Sequence, residues 1–240
     1  MASFKSVLSE GLGLLFPKNI YCLCCGDSME DSRIHGICDV CAEKIDWNTE
    51  NPYRRDMDLF AFDGLLPCCR YGFYPRRIIA GFKLGSRPYA ASSIGLLMAE
   101  RLAMSGEKGF IVSCVPMHPK KQRKRGFNQS ELLARVIARE RGEELDTGLL
   151  VKVKETASMR KSSGDDRRVL LDDSIELASG AEEKIKGRHV VLVDDVVTTG
   201  TTADSCARLL KQGGASKVTV LCFAVSPSYK AMDTQDENDV

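Results

Sequence analysis

The sequence has no apolar run near the roughly 20 residues that a transmembrane helix requires. Only three histidines and one tryptophan occur among its 240 residues. The first absence excludes a membrane-spanning helix, and no Ser-His-Asp constellation is evident among so few histidines. No Gly-Lys-Ser or Gly-Lys-Thr sequence is present, which excludes a P-loop, and no internal repeat is visible.

The N-terminal segment gives no sign of an export signal. Its apolar residues lie at helical spacing as far as Phe16, but Glu10 interrupts them and no small-residue cleavage site follows. We therefore expect a short helix packed on the protein; an amphipathic helix on a membrane surface is the alternative. Without export, the ten cysteines are expected in the reducing cytoplasm, where metal binding is favoured over disulfides.

Charge is unevenly distributed along a chain whose formal net charge is only +1. Residues 1–60 carry 6 basic and 10 acidic side chains, residues 61–168 carry 21 and 11, and residues 169–240 carry 7 and 12. The corresponding net charges are −4, +10 and −5. The middle segment is therefore the part expected to attract anions.

Apolar periodicity predicts that strands and helices alternate after residue 60. The predicted strands cover 68–74, 110–115, 190–193 and 218–225, and the predicted helices cover 77–84, 92–104, 130–141 and 201–212. Strands that alternate with helices are typical of a parallel α/β sheet with right-handed crossovers. We expect an N-terminal helix and cysteine module over 1–50, an α/β domain over 51–228 with a mobile polar loop inside 154–180, and a disordered acidic tail over 229–240.

The segment 190–202 joins an apolar strand to a helix through two acids and a hydroxyl-rich turn. Gly200 permits a tight turn, so backbone N–H groups can converge at the positive end of the following helix. Asp194 and Asp195 lie where open α/β sheets bind ligands and suit hydrogen bonds from ribose hydroxyls, with magnesium nearby. The alternative is that the two acids only cap the helix. The residues expected to bind phosphate are Val197, Thr198, Thr199, Gly200, Thr201 and Thr202.

A second segment, 115–130, follows another predicted strand and is strongly basic. Five of the six residues from Lys120 to Arg125 are cationic. A charge run is usually a solvated surface, but this one lies at a carboxyl edge of the sheet, where it can meet a pyrophosphate. The residues expected to bind that anion are His118, Lys120, Arg123 and Arg125. The residues suited to a base or to single-stranded nucleic acid are Phe127, Asn128, Gln129, Lys121 and Lys124.

Together these segments resemble the ComF family of competence proteins, the amidophosphoribosyltransferase-like group. Segment 190–202 is similar to the phosphoribosyl pyrophosphate signature of type I phosphoribosyltransferases, and Arg-Gly-Phe-Asn-Gln at 125–129 precedes it in the family's order. Phe82-Lys83-Leu-Gly-Ser-Arg87 matches the family's Lys-x-Gly-x-Arg element, which implies that Lys83 also binds the anion. The sequence departs from the family pattern at Met159 and Leu170, inside the polar loop. The resemblance implies a type I phosphoribosyltransferase fold.

The resemblance also implies a function. It implies binding of phosphoribosyl pyrophosphate or a nucleotide with magnesium, and a part in natural competence, the uptake of single-stranded DNA. The implied partners are single-stranded DNA and other competence proteins at the inner membrane face. One hypothesis is an enzyme that transfers a phosphoribosyl group to an unidentified base or amine, with Asp194 and Asp195 as catalytic residues that position the ribose. The other is a binding module, such as a nucleotide sensor. The residues favour the enzyme over the binding module.

Five cysteines lie between residues 22 and 41. Two C-x₂-C pairs, Cys22 with Cys25 and Cys38 with Cys41, are separated by twelve residues. Each pair can form a turn that presents two thiolates, which predicts a closed, structural, zinc-ribbon-like Cys₄ site. Metal binding would supply the folding energy that this apolar-poor segment lacks. An iron–sulfur cluster and a redox pair are the alternatives, and Cys24 is an alternative ligand in place of Cys22 or Cys25.

Overall fold

The computed structural model describes residues 21–29, 35–52, 54–83, 89–154 and 174–226. Five strands form a parallel sheet in the order β1-β7-β6-β2-β3. They are β1 (Gly64–Arg70), β2 (Phe110–Cys114), β3 (Glu144–Leu145), β6 (His189–Val197) and β7 (Lys217–Val225). A separate antiparallel pair is formed by β4 (Leu150–Lys152) and β5 (Ile175–Leu177). The predicted parallel α/β sheet is confirmed.

Helices connect the strands and cover both faces of the sheet. A 3₁₀ helix, Arg54–Leu59, precedes β1. The α-helices in the described part of the chain are α1 (Asp39–Ala42), α2 (Phe73–Lys83), α3 (Ala90–Met104), α4 (Pro119–Arg125), α5 (Gln129–Arg141), α6 (Ala181–Ile185) and α7 (Thr201–Gln212).

The apolar run in β6 is explained by burial on both faces of the sheet. Successive side chains of a strand point to opposite faces. Val191 and Val193 pack in a core with α2, α3 and α5. Val190 and Leu192 pack in a second core with α6 and α7. The sheet therefore separates two apolar layers and leaves only its edges for polar chemistry.

The cysteine module packs into the first of these cores. Cys22, Cys41 and Ile45 belong to the same buried cluster as residues of α2 and α3. Arg101 of α3 donates from Nε to the carbonyl of Pro67 at 3.0 Å and from Nη2 to the carbonyl of Thr49 at 3.3 Å. The segment that follows the module is therefore attached to α3.

Two sequence-based boundaries are wrong at the start of the domain. The strand predicted over 68–74 ends at Arg70, and the helix predicted from residue 77 begins at Phe73. Pro75 lies in the first turn of α2, where its missing N–H leaves no helical hydrogen bond unmade. Proline therefore marks the beginning of a helix here rather than the end of a strand.

Two further boundaries differ nearer the predicted site. The strand expected over 190–193 continues to Val197, because β7 pairs with it as far as Val225. Strand β5 forms inside the segment predicted as a loop, where it pairs with β4. The predicted N-terminal helix, the departures at Met159 and Leu170, Arg87 and the acidic tail lie outside the described residues.

Candidate functional site

A cavity of about 860 Å³ lies at the carboxyl edge of the sheet, beside the ends of β2 and β6. The loop after β2, helix α4, the start of α5 and the end of β4 surround it. Its acidic lining residues are Asp194 and Asp195. Its cationic lining residues are Lys83, Lys120, Lys121, Lys124, Arg125 and Lys152. The excess of cations makes the cavity suited to an anion.

The two aspartates are held in different ways. Asp194 Oδ1 accepts hydrogen bonds from Ser130 Oγ at 2.9 Å and from the N–H of Asp195 at 2.8 Å. Asp195 Oδ2 lies 2.8 Å from Nζ of Lys83. Because both acids belong to β6 and have partners from α2 and α5, their positions are fixed by three packed elements.

Burial, followed by the adjacent negative charge of Asp195, raises the pKa of Asp194 to about 7. The hydrogen bonds from the Asp195 N–H and from Ser130 act in the opposite direction, as does the charge of Lys83. Near neutral pH the Asp194 side chain is therefore partly protonated and can both donate and accept a hydrogen bond.

The hydroxyl-rich turn begins after Val197, which is itself a buried strand residue. Gly200 has φ 77° and precedes the first residue of α7, Thr201. Thr199 Oγ1 lies 2.8 Å from Thr201 Oγ1. A small recess of about 40 Å³ is enclosed by residues 196–203 together with Asp194. Thr202 lines both this recess and the larger cavity, so the two adjoin.

Residues from outside the turn support it. A Cβ atom on Gly200 would lie 2.9 Å from Cε1 of Phe60, whose ring stacks on Phe62 at 4.7 Å. Asp204, buried in α7, accepts a hydrogen bond from the Ala61 N–H at 2.6 Å. The segment before β1 therefore supports the turn, and a side chain at position 200 would both strain the backbone and displace Phe60.

The basic run forms helix α4. Pro119 is its first residue, and His118 Nδ1 accepts a hydrogen bond from the Lys120 N–H at 3.3 Å. Gly126, with φ 91°, ends the helix. The two faces of α4 differ, because Arg123 lines a separate recess rather than the cavity. The structure therefore does not bring Arg123 to the anion site predicted for it.

Two lysines of the cavity have lowered pKa values. Burial lowers the pKa of Lys121, and the nearby charges of Arg125 and Lys83 lower it further. Burial also lowers the pKa of Lys152, and so does the charge of Lys121. An anionic ligand would offset the repulsion between these cations and would therefore raise both pKa values.

The residues predicted for a base or nucleic acid have structural contacts as well. Phe127 is half-buried and stacks on Phe82 with ring centroids 5.8 Å apart. Asn128 Oδ1 accepts from the Ser130 N–H at 3.2 Å, and its Nδ2 donates to the Val115 carbonyl at 3.1 Å. Asn128 lines the cavity, whereas Phe127 is not among the lining residues.

Gln129 is 2% exposed and lines the cavity. Its Oε1 accepts a hydrogen bond from Arg125 Nη1 at 2.7 Å. Its buried Nε2 has no hydrogen-bond partner among the described residues. A buried donor without a partner is costly, so an acceptor atom of a ligand would satisfy it.

Ser130 and Lys152 line the cavity but are not among the site residues predicted from the sequence. Ser130 directly follows the Arg-Gly-Phe-Asn-Gln segment and is the first-turn residue of α5 that reaches Asp194. Its position next to the Arg-Gly-Phe-Asn-Gln motif is a sequence signal that could have identified it as a site residue. Lys152 ends β4, a short strand without a motif, and no pattern in the sequence places it in the cavity.

The cysteine cluster lies apart from the cavity residues in the chain. The sulfur atoms of Cys22, Cys25, Cys38 and Cys41 all lie within 4.8 Å of one another. Cys24 is not in this set, and its Sγ lies 3.7 Å from the carbonyl oxygen of Tyr74. The backbone N–H groups of Cys24 and Cys38 each point to Cys22 Sγ at 3.4 Å. Four thiols this close can bind one metal ion.

Comparison with known proteins gives a consistent result. The family model of the phosphoribosyl transferase domain matches residues 128–240. The DNA utilization protein YhgH of Escherichia coli O157:H7 is 32% identical over 210 residues, which cover 78% of this chain and 89% of that protein. Competence protein F of Haemophilus influenzae is 35% identical over 106 residues, which cover 44% of this chain and 46% of that protein.

A solved structure, glutamine phosphoribosylpyrophosphate amidotransferase from Bacillus subtilis, is 21% identical and matches 54% of this chain and 25% of its own, with a TM-score of 0.37. Among the described residues, no helix is both long enough and apolar enough to cross a membrane. The parallel sheet, the Asp-Asp turn and the four-cysteine cluster agree with the sequence matches. The chain therefore belongs to the ComF family, together with DNA utilization protein YhgH and competence protein F, and carries a phosphoribosyltransferase-like domain.

Proposed function

We propose that the cavity binds phosphoribosyl pyrophosphate, or a related ribose 5-phosphate, together with magnesium. The observation that carries this proposal is that the Asp-Asp pair, the Thr-rich turn and six cations meet at one edge of the sheet. The N–H groups and hydroxyls of the turn would hold the 5-phosphate at the start of α7. Asp194 and Asp195 would hold the ribose hydroxyls, and the lysines the pyrophosphate.

Magnesium fits this donor set. The two carboxylates offer the oxygen ligands that Mg²⁺ prefers, and a polyphosphate usually supplies the others. When bound, the ion would neutralise charge on the pyrophosphate. The chain's own part is to orient the ribose. For this, Lys83 would have to exchange its ion pair with Asp195 for one with the ligand.

A thermal shift measurement tests this proposal. Phosphoribosyl pyrophosphate with magnesium is expected to raise the Tm of the wild type by an amount that grows with ligand concentration. The double variant D194N/D195N should lose that shift, whereas Glu140→Gln, an exposed carboxylate on α5, should keep it. An equal shift in the double variant would overturn the ribose assignment.

Transfer of the phosphoribosyl group is the second candidate function. The observation that favours it is the buried Nε2 of Gln129 in the cavity wall, which has no partner in the described part of the chain and could orient an acceptor. The bond between the anomeric carbon and pyrophosphate oxygen would break as a bond to an acceptor nitrogen forms, and the acceptor would lose a proton. Pyrophosphate release that depends on an added base or amine would support transfer. Ligand binding without such release would indicate a sensor.

We further propose a cytoplasmic role in DNA uptake, in which the basic face of α4 contacts single-stranded DNA. Lys120, Lys121 and Lys124 line an open, cationic cavity, and the relatives are named for competence and DNA utilization. Affinity for single strands should fall steeply with salt, because each phosphate contact releases counterions. Other competence proteins at the inner membrane face are the partners that this role requires.

Charge neutralisation tests the DNA proposal. The triple variant K120Q/K121Q/K124Q should reduce the slope of log K against log salt by about 2, from ~0.7 for each single-strand phosphate contact. Neutralising three exposed lysines elsewhere, Lys108, Lys184 and Lys186, should leave the slope nearly unchanged. An identical slope in wild type and both variants would overturn the assignment.

We also propose that the cysteine cluster holds zinc. Four cysteine sulfurs give a closed tetrahedral set, which matches structural zinc sites. Metal analysis of protein purified without chelator should find about one zinc per chain. A Cys25→Ser variant should lose the metal, whereas Cys24→Ser should retain it, because Cys24 is not one of the four clustered cysteines.

A further inference from the structure

Helix α2 presents a basic and aromatic face of which the proposals above use only Lys83, at its end. The helix sequence, Phe73 to Lys83, has three cations and no acid. One side is buried, with Ile78, Ile79 and Phe82 in the core. The residues on the exposed side, here called the α2 face, are Phe73, Arg76, Arg77, Ala80 and Lys83. Their spacing of three, four, seven and ten residues from Phe73 places them along one side of the helix.

The N-terminal end of the α2 face is an aromatic platform with cations beside it. Phe73 is 66% exposed and meets Tyr74 edge-on, with ring centroids 5.2 Å apart. The Arg77 guanidinium lies 5.7 Å from the Phe73 ring, and Lys44 Nζ lies 5.9 Å from the Tyr74 ring. A large apolar ring held in solvent between cations is suited to stacking on a flat, anionic partner.

The α2 face also connects two features of the molecule. At its beginning, the carbonyl of Tyr74 contacts Cys24 of the cysteine module. At its end, Lys83 lies in the cavity, 2.8 Å from Asp195. Ten residues of helix separate Phe73 from Lys83, a rise of about 15 Å. That distance exceeds the ~3.4 Å axial spacing of phosphates along one strand of a duplex, so the face is long enough to contact more than one phosphate.

We propose that the α2 face binds single-stranded nucleic acid, with a base stacked on Phe73 and phosphates at Arg76 and Arg77, and so leads the strand from the cysteine module to the cavity. This inference rests on the proposed DNA binding for its class of ligand, but it assigns a surface separate from α4. The small side chain of Ala80 leaves space for the strand between the arginines and Lys83.

The chemistry of the face favours nucleic acid over a lipid surface or a protein. Membrane insertion and stable protein docking both need a contiguous apolar patch. Here one exposed ring is followed by cations at i+3 and i+4 and by one methyl group. Stacking on one ring with cations for the phosphates is how single strands are bound without sequence preference.

Oligonucleotide binding by the full-length protein tests the inference, with a 12-nucleotide oligo(dT) as the probe. Phe73→Ala should weaken binding by about 5- to 150-fold, the range for loss of one stacked base, and Phe73→Trp should retain binding. The pair R76Q/R77Q should lower the salt slope by about 1.4. The controls are Met104→Ala, an exposed apolar residue, and R135Q/R139Q on the surface of α5. Both controls should bind like the wild type.

Further measurements separate this inference from the DNA proposal. An abasic oligonucleotide should bind wild type and Phe73→Ala equally, since stacking is absent in both cases. If K120Q/K121Q/K124Q weakens binding but Phe73→Ala and R76Q/R77Q do not, the α2 face is excluded while the α4 assignment stands. If R76Q/R77Q weakens binding to anionic lipid vesicles and leaves the oligonucleotide unaffected, the face binds lipid and the inference is overturned.

Discussion

Asp194 and Asp195 are consecutive residues, yet their environments differ. Asp195 has a cation, Lys83, at 2.8 Å, whereas the hydrogen-bond donors to Asp194 among the described residues are neutral: Ser130 and a backbone N–H. Burial and the neighbouring acid raise the pKa of Asp194 to about 7. A carboxyl group with a raised pKa destabilises the fold when it ionises. The cost in stability supports the proposal that the pair serves a ligand.

An Asp194→Asn variant measures that destabilisation. The pKa of Asp194 rises from 3.8 to about 7 on folding. The stability that depends on a protonated Asp194 is therefore fully present below about pH 4 and is lost as the pH rises through 7. Asparagine has no charge and still accepts from Ser130 and the Asp195 N–H. We expect a Tm at pH 8 that exceeds the wild type by ~2–4 °C for each kcal/mol relieved. The difference should vanish near pH 4, and thermal unfolding at both pH values checks it.

The exposed Asp58 in the 3₁₀ helix provides the control for that experiment. Asp58→Asn should give no gain in Tm that grows with pH. An Asp194→Asn difference of the same size at pH 4 and pH 8 would contradict a pKa near 7.

A Gly200→Ala variant tests the support of the Thr-rich turn. Its φ of 77° costs about 1–2 kcal/mol for an L-residue, and the added Cβ would lie 2.9 Å from a Phe60 ring that stacks on Phe62. Gly106→Ala is the matched control, since Gly106 has φ 74° and nothing within 4 Å of its Cβ position. Urea unfolding should show a larger loss for Gly200→Ala, by about 1 kcal/mol or more. Equal losses would mean that Phe60 yields to the methyl group.

At the scale of elements, helix α4 shows which features of a helix can be predicted from the sequence and which cannot. His118, Pro119 and Gly126 are the cap, first residue and left-handed terminator of a helix, and the proline and the glycine belong to known signatures. A seven-residue segment with five cations gives no apolar periodicity, so the pattern that identified α5 and α7 was missing. The position of the basic run at the sheet edge could be predicted because the run directly follows a strand. The side of α4 on which Arg123 lies could not be predicted, because it depends on where the helix begins.

The beginning of α5 offers a prediction at the same scale. Asn128→Ala removes the cap acceptor for the Ser130 N–H and the donor to the Val115 carbonyl, and should lower the free energy of unfolding by about 1–2 kcal/mol. Asn128→Ser keeps a capping oxygen and should lose less. Urea unfolding of the three proteins should rank them wild type, serine, alanine. Equal losses in both variants would show that the cap contributes nothing.

At the scale of the whole molecule, the sequence predicted the parallel sheet and the four cysteines but not how the parts pack. Strand and helix periodicity is local, and so is C-x₂-C spacing. The choice between Cys24 and its neighbours depended on Tyr74, fifty residues away in the chain. The pairing of Lys83 with Asp195 joins α2 to β6 across more than a hundred residues. Such contacts carry no periodic signal.

Because the cysteine module shares a core with α2 and α3, losing the proposed metal should affect the entire fold. Cys22 and Cys41 are buried in the same cluster as Phe82 and Met98, so separating the four sulfurs exposes apolar surface on the main domain. We expect C25S/C38S to unfold in one transition at a lower Tm than the wild type, by calorimetry. Cys24→Ser, which keeps the four ligands, should stay closer to the wild type. Two separate transitions, with the second at the wild-type Tm, would show instead that the module folds independently of the sheet.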